Sequence, residues 1–307
     1  MRAVVVHRFG GPEVLQLVDV PDPEPGPGQV RIAVAAAAVN PVDVATRSGA
    51  LTDAGLMPPP RGAMGIGWDV AGVIDAVGAQ ITGFAPGDRV VGLSDRLALP
   101  VKAQADYVVL DADAVGHVPD GTDLVAAATL PLNSLTAAQA LDLAAFRPGS
   151  TLLVTGAAGG VGGYAVELAA RAGVQVVAVA NVSDEEVLRD LGAAHVVPRD
   201  ADLASVVRAI VPGGVDAAID AAHLGVTALD AVRGGGCLVA VLGGAPVPLR
   251  GIRVANVWIR ADGTRLTALA AQRLHLRVAD VLPLESVAEA HRRLAKGSLR
   301  GRLVLCP

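Results

Sequence analysis

The stretch Thr151-Leu-Leu-Val-Thr-Gly156-Ala-Ala-Gly159-Gly160-Val-Gly162-Gly163 constrains this chain more than any other. A short apolar run that ends in glycines and leads into a helical segment lets backbone approach a pyrophosphate closely. The N-terminus of the following helix favours the negative charge. A second apolar run, Gln175–Ala180, follows the helical segment. That order of strand, glycines, helix and strand is the pattern of a dinucleotide-binding turn rather than of a bare glycine-rich bend. Gly156, Ala158, Gly159, Gly160, Val161 and Gly162 are therefore candidate cofactor-binding residues.

The rest of the chain divides around this turn. From about Asp123 the pattern predicts a helix over Leu124–Leu143, a strand over Thr151–Thr155 and a helix over Val161–Ala172. It continues with a strand over Gln175–Ala180, a helix over Asp184–Leu191 and a short strand over His195–Val197. A helix over Leu203–Ile210 and strands over Val215–Asp220 and Cys237–Leu242 complete the series. Near-continuous Val and Ala runs suit strands buried on both faces of a parallel sheet, so a doubly wound α/β domain is expected. Earlier residues carry short alternating runs, Val30–Val34, Val70–Val77, Asp88–Gly92 and Ala105–Leu110, broken by Pro and Gly. They predict a small, mostly β module, with the Pro-rich segment 21–28 irregular. The final stretch from Arg277 is expected to rejoin that module through a helix over Leu284–Lys296 and a strand over Gly301–Leu305. The expected domains are residues 1–120 completed by 262–307, and residues 121–261.

Composition removes several function classes. With 307 residues the chain can build two domains, and with 52% hydrophobic but 2% aromatic residues their cores must be Ala, Val and Leu. No apolar run reaches the roughly 18–20 residues that span a bilayer, so no membrane association is expected. The N-terminal residues lack the apolar centre of a signal peptide and read as a strand. Two cysteines, Cys237 and Cys306, are too few for a disulfide framework and wrongly spaced for zinc, which makes a reduced cytoplasmic setting the expectation. The net charge of -5 gives no reason to expect nucleic acid as a partner; a small-molecule substrate is expected instead.

The choice of dinucleotide turns on the end of the second strand, where NAD enzymes place a carboxylate on the ribose. Asn181 stands there, with Ser183 beyond it, and nothing repels a 2′-phosphate. Arg199, after the next strand, supplies positive charge, although a solvated surface role fits it equally well. NADP (as NADPH) is favoured over NAD. Leu242 and Gly243, at the end of a later strand, complete the candidate cofactor residues.

Longer motifs then fall in order: Val39-Asn-Pro-Val-Asp-Val-Ala-Thr-Arg-Ser-Gly49, Gly67-Trp-Asp-Val-Ala-Gly-Val-Ile-Asp-Ala-Val-Gly78, Phe84-Ala-Pro-Gly-Asp-Arg-Val90 and Leu130-Pro-Leu-Asn-Ser-Leu-Thr-Ala137. After the glycine loop come Leu191-Gly-Ala193, Gly214-Val-Asp-Ala-Ala-Ile-Asp220 and Gly301-Arg-Leu-Val-Leu305. Together they resemble the zinc-free, zeta-crystallin-like quinone oxidoreductase branch of the medium-chain dehydrogenase/reductase superfamily. The resemblance implies a GroES-like, mostly β catalytic domain, a Rossmann domain, and a homodimer with Trp258-Ile-Arg260 near the shared sheet edge. The positions that hold catalytic zinc in metal-dependent relatives correspond to Asn40, Trp68 and Leu132, so no metal is expected. A short-chain dehydrogenase is excluded because Tyr164 is followed four positions later by Leu168, not lysine.

Without metal, hydride from nicotinamide suits a quinone or an alkene activated by a carbonyl, provided a donor stabilises the developing charge on oxygen. Asn40 and Thr136 are the candidate catalytic residues, and Ala45, Trp68 and Asn133 the candidate substrate pocket. The competing and favoured role for Asn40 is a turn cap before Pro41, and the competing role for Thr136 is a bond to a helix carbonyl. Asp43 is a candidate partner of Arg47, one helical turn on, and His223 a less favoured neighbour of the cofactor. Ala45 stands where many relatives carry a tyrosine, which leaves the proton source open. The expected function is an NADPH-dependent quinone or enone reductase. A specialised biosynthetic enoyl reductase and a non-catalytic NADPH-binding protein are the alternatives.

Overall fold

In the computed structural model, which describes every residue except Leu242 and Ser298, the chain forms two units. The first comprises Met1–Leu132 and Arg260–Pro307, the second Asn133–Ile259.

The first unit is built from β1 (Arg2–Val6), β2 (Gln16–Asp19), β3 (Gln29–Val39), β4 (Met64–Gly65), β5 (Asp69–Val77), β6 (Arg89–Leu93), β7 (Tyr107–Asp111) and β8 (Val115–His117). β3 is its spine, pairing antiparallel with β5 and β7. Its burial alternates from Gln29 to Ala35 and then becomes continuous through Val39. Val30, Ile32, Ile74, Val90 and Val108 fill the core on one face of this sheet. Burial of such side chains contributes about 1.5–3 kcal/mol each. The strands foreseen here all form, with ends shifted or extended along the same runs.

Helix α1 (Pro41–Ser48) starts as its sequence dictates. Asn40 is the N-cap, Pro41 needs no donor at the first position, and Asp43 returns a carboxylate to the Asn40 N–H at 2.7 Å. Gly49, at φ 91°, ends it. The foreseen Asp43–Arg47 pair does not form: Asp43 is committed to the cap, and Arg47 Nη1 donates to the Gly10 carbonyl. A short α2 (Ala50–Asp53) follows.

The helix expected over Leu124–Leu143 is two, α3 (Leu124–Ala127) and α4 (Pro131–Ala144). Pro131 has no N–H for a continuing ladder and disfavours helical backbone at Leu130. Because α3 packs on β3 and β5, residues 121–132 belong with the first unit, not with the dinucleotide domain assigned to them from sequence.

The second unit runs β9 (Thr151–Thr155), α5 (Gly160–Arg171), β10 (Gln175–Ala180), α6 (Glu185–Asp190), β11 (His195–Pro198), α7 (Leu203–Ile210), β12 (Val215–Asp220), α8 (Val226–Asp230), β13 (Val232–Val241) and β14 (Arg253–Val257). Its six strands lie in the order β11-β10-β9-β12-β13-β14, and each neighbouring pair is parallel. The order reverses between β9 and β12, and ligands bind such sheets at the carboxyl ends of the strands flanking that reversal.

The chain then rejoins the first unit through α9 (Gly263–Ala271), β15 (Val278–Pro283), α10 (Val287–Lys296) and β16 (Arg302–Cys306), with β16 antiparallel to β3. Among the described residues no helix is long and apolar enough to cross a membrane.

Candidate functional site

The glycine loop joins β9 to α5 at the topological reversal of the second unit. Gly156 adopts φ 60°, a left-handed conformation that glycine takes without strain. Its carbonyl accepts the Gly159 N–H at 2.9 Å, and the Ala157 N–H donates to Val179 O at 3.2 Å, tying the loop to β10. Gly159 caps α5, whose first residues are Gly160, Val161 and Gly162. A Cβ on Gly162 would lie 2.8 Å from Ala157 Cα and closer still to the Gly156 carbonyl. The loop can adopt this shape only with glycine there, and the N–H groups of the first turn of α5 have no partner within the helix, as a pyrophosphate cradle requires.

Asn181 follows β10 and caps a single turn, Val182–Asp184, that carries Ser183. The Arg199 N–H donates to Ala180 O at 3.0 Å, which sets Arg199 beside Asn181 at the same edge. Arg199 is exposed, and no hydrogen bond or ion pair holds its guanidinium among the described residues. The structure thus brings Asn181 and Arg199 to one corner. Gly243 (φ 75°) follows β13, with Trp258 against its open side. Leu242 lies outside the described residues.

Asp220, buried at the end of β12, organises the loop that follows. Its carboxylate accepts from Thr155 Oγ1 (2.6 Å), Leu224 N (3.1 Å) and Gly225 N (2.8 Å), and so fixes His223, at φ 56°, beside Gly244. Removing the carboxylate orphans all three donors, each at about 1–3 kcal/mol when buried. Asp220→Ala is expected to lower the melting temperature by roughly 5–10 °C in thermal unfolding.

In the first unit a buried polar cluster surrounds two of the candidate residues. Asn40 and Asp69 are fully buried, and Asn40 Nδ2 donates to Asp69 Oδ2 at 2.7 Å while Leu132 N donates to Asp69 Oδ1 at 2.6 Å. Two of the three positions compared with zinc ligands therefore converge on Asp69, and the third, Trp68, precedes it in the chain. Burial pushes the carboxyls of both Asp43 and Asp69 up to about 7, against the hydrogen bonds they accept. Lys102, also buried, donates from Nζ to Ser94 O (2.8 Å) and Arg96 O (2.9 Å) and stands 4.3 Å from the centre of the Trp68 ring. Burial pushes its pKa down to about 8, opposed by Asp43 and Asp95. Ala45 is half-buried on α1 and offers no polar atom. Asn133 and Thr136 lie in the first turns of α4, both buried.

Sequence reading missed Asp69 and Lys102. Asp69 had a signal, since it lies inside the motif beginning at Gly67, on a strand whose first four residues are all buried. Lys102 had none; it is a lone lysine in the short stretch Leu97–Ala103, which carries no motif.

Residues 26–120 match the alcohol dehydrogenase GroES-like domain, and residues 191–305 the zinc-binding dehydrogenase domain. The 2-methylene-furan-3-one reductase of Solanum lycopersicum is 31% identical over 100% of this chain and 79% of its own length. The quinone oxidoreductase of Coxiella burnetii superposes with a TM-score of 0.85 at 28% identity, covering 100% of this chain and 99% of that one. The erythronolide synthase EryA2 of Saccharopolyspora erythraea is 44% identical over 41% of this chain, but the match is only 3% of the synthase's length. The chain belongs to the medium-chain dehydrogenase/reductase superfamily.

The zinc in one family description would need thiolate, imidazole or carboxylate ligands. Asn40, Trp68 and Leu132 offer an amide already bonded to Asp69, an indole and an alkyl chain. Among the described residues no group of three or more His, Cys, Asp and Glu side chains converges. This donor set does not fit the metal. The glycine cradle does fit a nicotinamide dinucleotide.

Proposed function

We propose that this chain is an NADPH-dependent reductase that delivers hydride, without metal, to a quinone or to an alkene conjugated with a carbonyl. The observation that carries the reading is the glycine cradle at the reversal of the sheet, with Asn181 and an uncommitted Arg199 at the end of its second strand. Nicotinamide, when bound, supplies the hydride. The N–H groups from Gly159 to Gly162 hold the pyrophosphate. Asn181, Ser183 and Arg199 receive the 2′-phosphate, and Gly243 lines the cofactor's further end. Thr136 and Asn133 bind the nicotinamide side of the reacting centre. Asn40 acts through its bond to Asp69, and Ala45 offers no hydroxyl, so the proton comes from water. β14 is an edge strand and Trp258 beyond it is 58% exposed, which supports pairing of two copies at that edge. Free thiols at Cys237 and Cys306 suit a reducing compartment.

The test follows loss of NADPH absorbance with 1,4-benzoquinone and, separately, with 2-cyclohexen-1-one. Turnover with either supports the reading; tight NADPH binding with no loss in both sinks it in favour of a narrow enoyl substrate or a non-catalytic role. Arg199→Ala is expected to raise the Kd for NADPH about 10- to 100-fold, the worth of a charged hydrogen bond, and to leave NADH unchanged. Equal effects on both cofactors would remove Arg199 from the 2′-phosphate site.

A further inference from the structure

A cleft of about 330 Å³ opens in the first unit between the loop after β8 and the end of α9. Val118, Ala127 and Leu130 line it from one segment and Leu269 and Leu274 from the other, and all are buried. An apolar cavity of about 150 Å³ takes benzene, so this cleft has room for roughly a dozen non-hydrogen atoms.

Opposite charges flank the apolar lining. Asp120 comes from the loop and Arg273 from the helix end, and both are exposed. Among the described residues neither charged group makes a hydrogen bond or an ion pair, with the other or with any neighbour. Asp123, also in the lining, accepts from Val125 N as the cap of α3. Charges beside apolar walls are screened less than charges in open water, so the field between Asp120 and Arg273 is available to a ligand.

Arg273 also stands where glycine is favoured. It is the first residue past the α9 cap, at φ 51°, and its N–H donates to Ala270 O at 3.3 Å. α5 and α6 end with the same bond and the same left-handed residue, and there the chain uses Gly173 and Gly192. A residue with a Cβ is strained at this φ, and strain that persists points to a role for the side chain. The attraction of a cation to a helix C-terminus does not account for it. Ala271 and Gln272, both exposed, could carry that cation on relaxed backbone.

We propose that this cleft binds a free α-amino acid with an apolar side chain. The side chain lies on the buried lining, Arg273 takes the carboxylate through paired N–H groups, and Asp120 takes the ammonium. A ligand with one charge would satisfy one wall and leave the other unpaired, whereas a zwitterion answers both. No residue of the glycine cradle or of the Asn40–Asp69 cluster takes part, so the inference stands apart from the reductase reading.

Calorimetry with L-leucine and L-phenylalanine tests it, beside leucine analogues that each lack one charge, isocaproate and isoamylamine. At least one of the amino acids is expected to bind with a Kd at or below about 1 mM. Each analogue should bind about 10- to 100-fold more weakly than leucine, the worth of one charged hydrogen bond. L-Serine, with both charges but no apolar side chain, should not bind. Asp120→Asn and Arg273→Gly should each weaken the amino acid by the same factor and leave the Kd of NADPH unchanged. Arg273→Gly should melt at or above the wild-type temperature, because glycine takes this backbone without strain, so its lost binding would not be misfolding. No binding of either amino acid up to about 10 mM overturns the inference, as does binding that survives both exchanges. Isoamylamine held as tightly as leucine overturns it too, by showing a cation bound to carboxylates alone. Reduction of a quinone or an enone is measured separately, so either reading can fail without the other.

Discussion

Replacing Gly162 with alanine is expected to abolish dinucleotide binding, with Kd for NADPH raised at least 100-fold, about 2.7 kcal/mol. The added methyl would sit 2.8 Å from both Ala157 Cα and the Gly156 carbonyl carbon, distances that real Cβ atoms do not adopt. Both neighbours are backbone of the loop itself, so no side chain can swing aside. The loop would have to open, breaking the Gly159–Gly156 bond of 2.9 Å and the Ala157–Val179 bond of 3.2 Å that shape the cradle. Gly83→Ala is the control, because a methyl there meets nothing within 4 Å. Calorimetry with NADPH on both variants checks the expectation. Wild-type affinity in Gly162→Ala would mean that the cofactor does not lie on this loop.

The dinucleotide unit was more legible than the rest because buried parallel strands and glycine turns leave local signatures. Thr151–Thr155, Gln175–Ala180, Leu203–Ile210 and Val215–Asp220 form over the same residues the pattern predicts. β14 and β15 escaped notice. In β14, Arg253 is exposed and the next three residues are half-buried; in β15 no residue is fully buried, so neither carries a continuous apolar run. α9 was hidden because Gly263 and two threonines, which are poor helix formers, occupy its first half, and its start depends on the Asp262 cap. The single helix foreseen over Leu124–Leu143 failed for the opposite reason: apolar residues continue straight through Pro131, and the proline decided the matter.

The candidate site divides in the same way. The cradle is local in sequence and was readable. The cluster of Asn40, Trp68, Asp69, Lys102 and Leu132 is assembled from four places in the chain, and its character depends on which polar groups are buried. Asn40 illustrates the difference. Its place in the turn was legible, while the direction of its amide was set by Asp69, a residue 29 positions away. Lys102 is more distant still from any local rule: loop lysines are almost always solvated, and the Ser94 and Arg96 carbonyls together with the Trp68 ring make this one part of the interior.

His291 should impose an acid sensitivity that a single substitution removes. The side chain is fully buried on α10, beside Val287 and Ala290, and neither ring nitrogen has a partner. Burial, with the nearby Arg47 charge, pushes its pKa from 6.5 down to about 3. Above pH 6.5 neither the folded nor the unfolded chain binds a proton here, and stability is unaffected. Below it the unfolded chain takes up a proton that the folded chain refuses until about pH 3, so stability falls as pH falls across that window. Each pH unit within it costs about 1.4 kcal/mol, or about 2 kcal/mol at pH 5. Asp43 and Asp69 act in the opposite sense, because their carboxyls, pushed up to about 7, stay protonated in the fold where the unfolded chain has released them. The wild-type profile is therefore a sum, and the difference between His291→Leu and wild type isolates the histidine. That difference in melting temperature is expected to grow by roughly 4–8 °C in favour of the variant between pH 7.5 and pH 5. A difference that stays constant with pH would mean that His291 is protonated as readily in the fold as in the unfolded chain, and that α10 opens to water at this position.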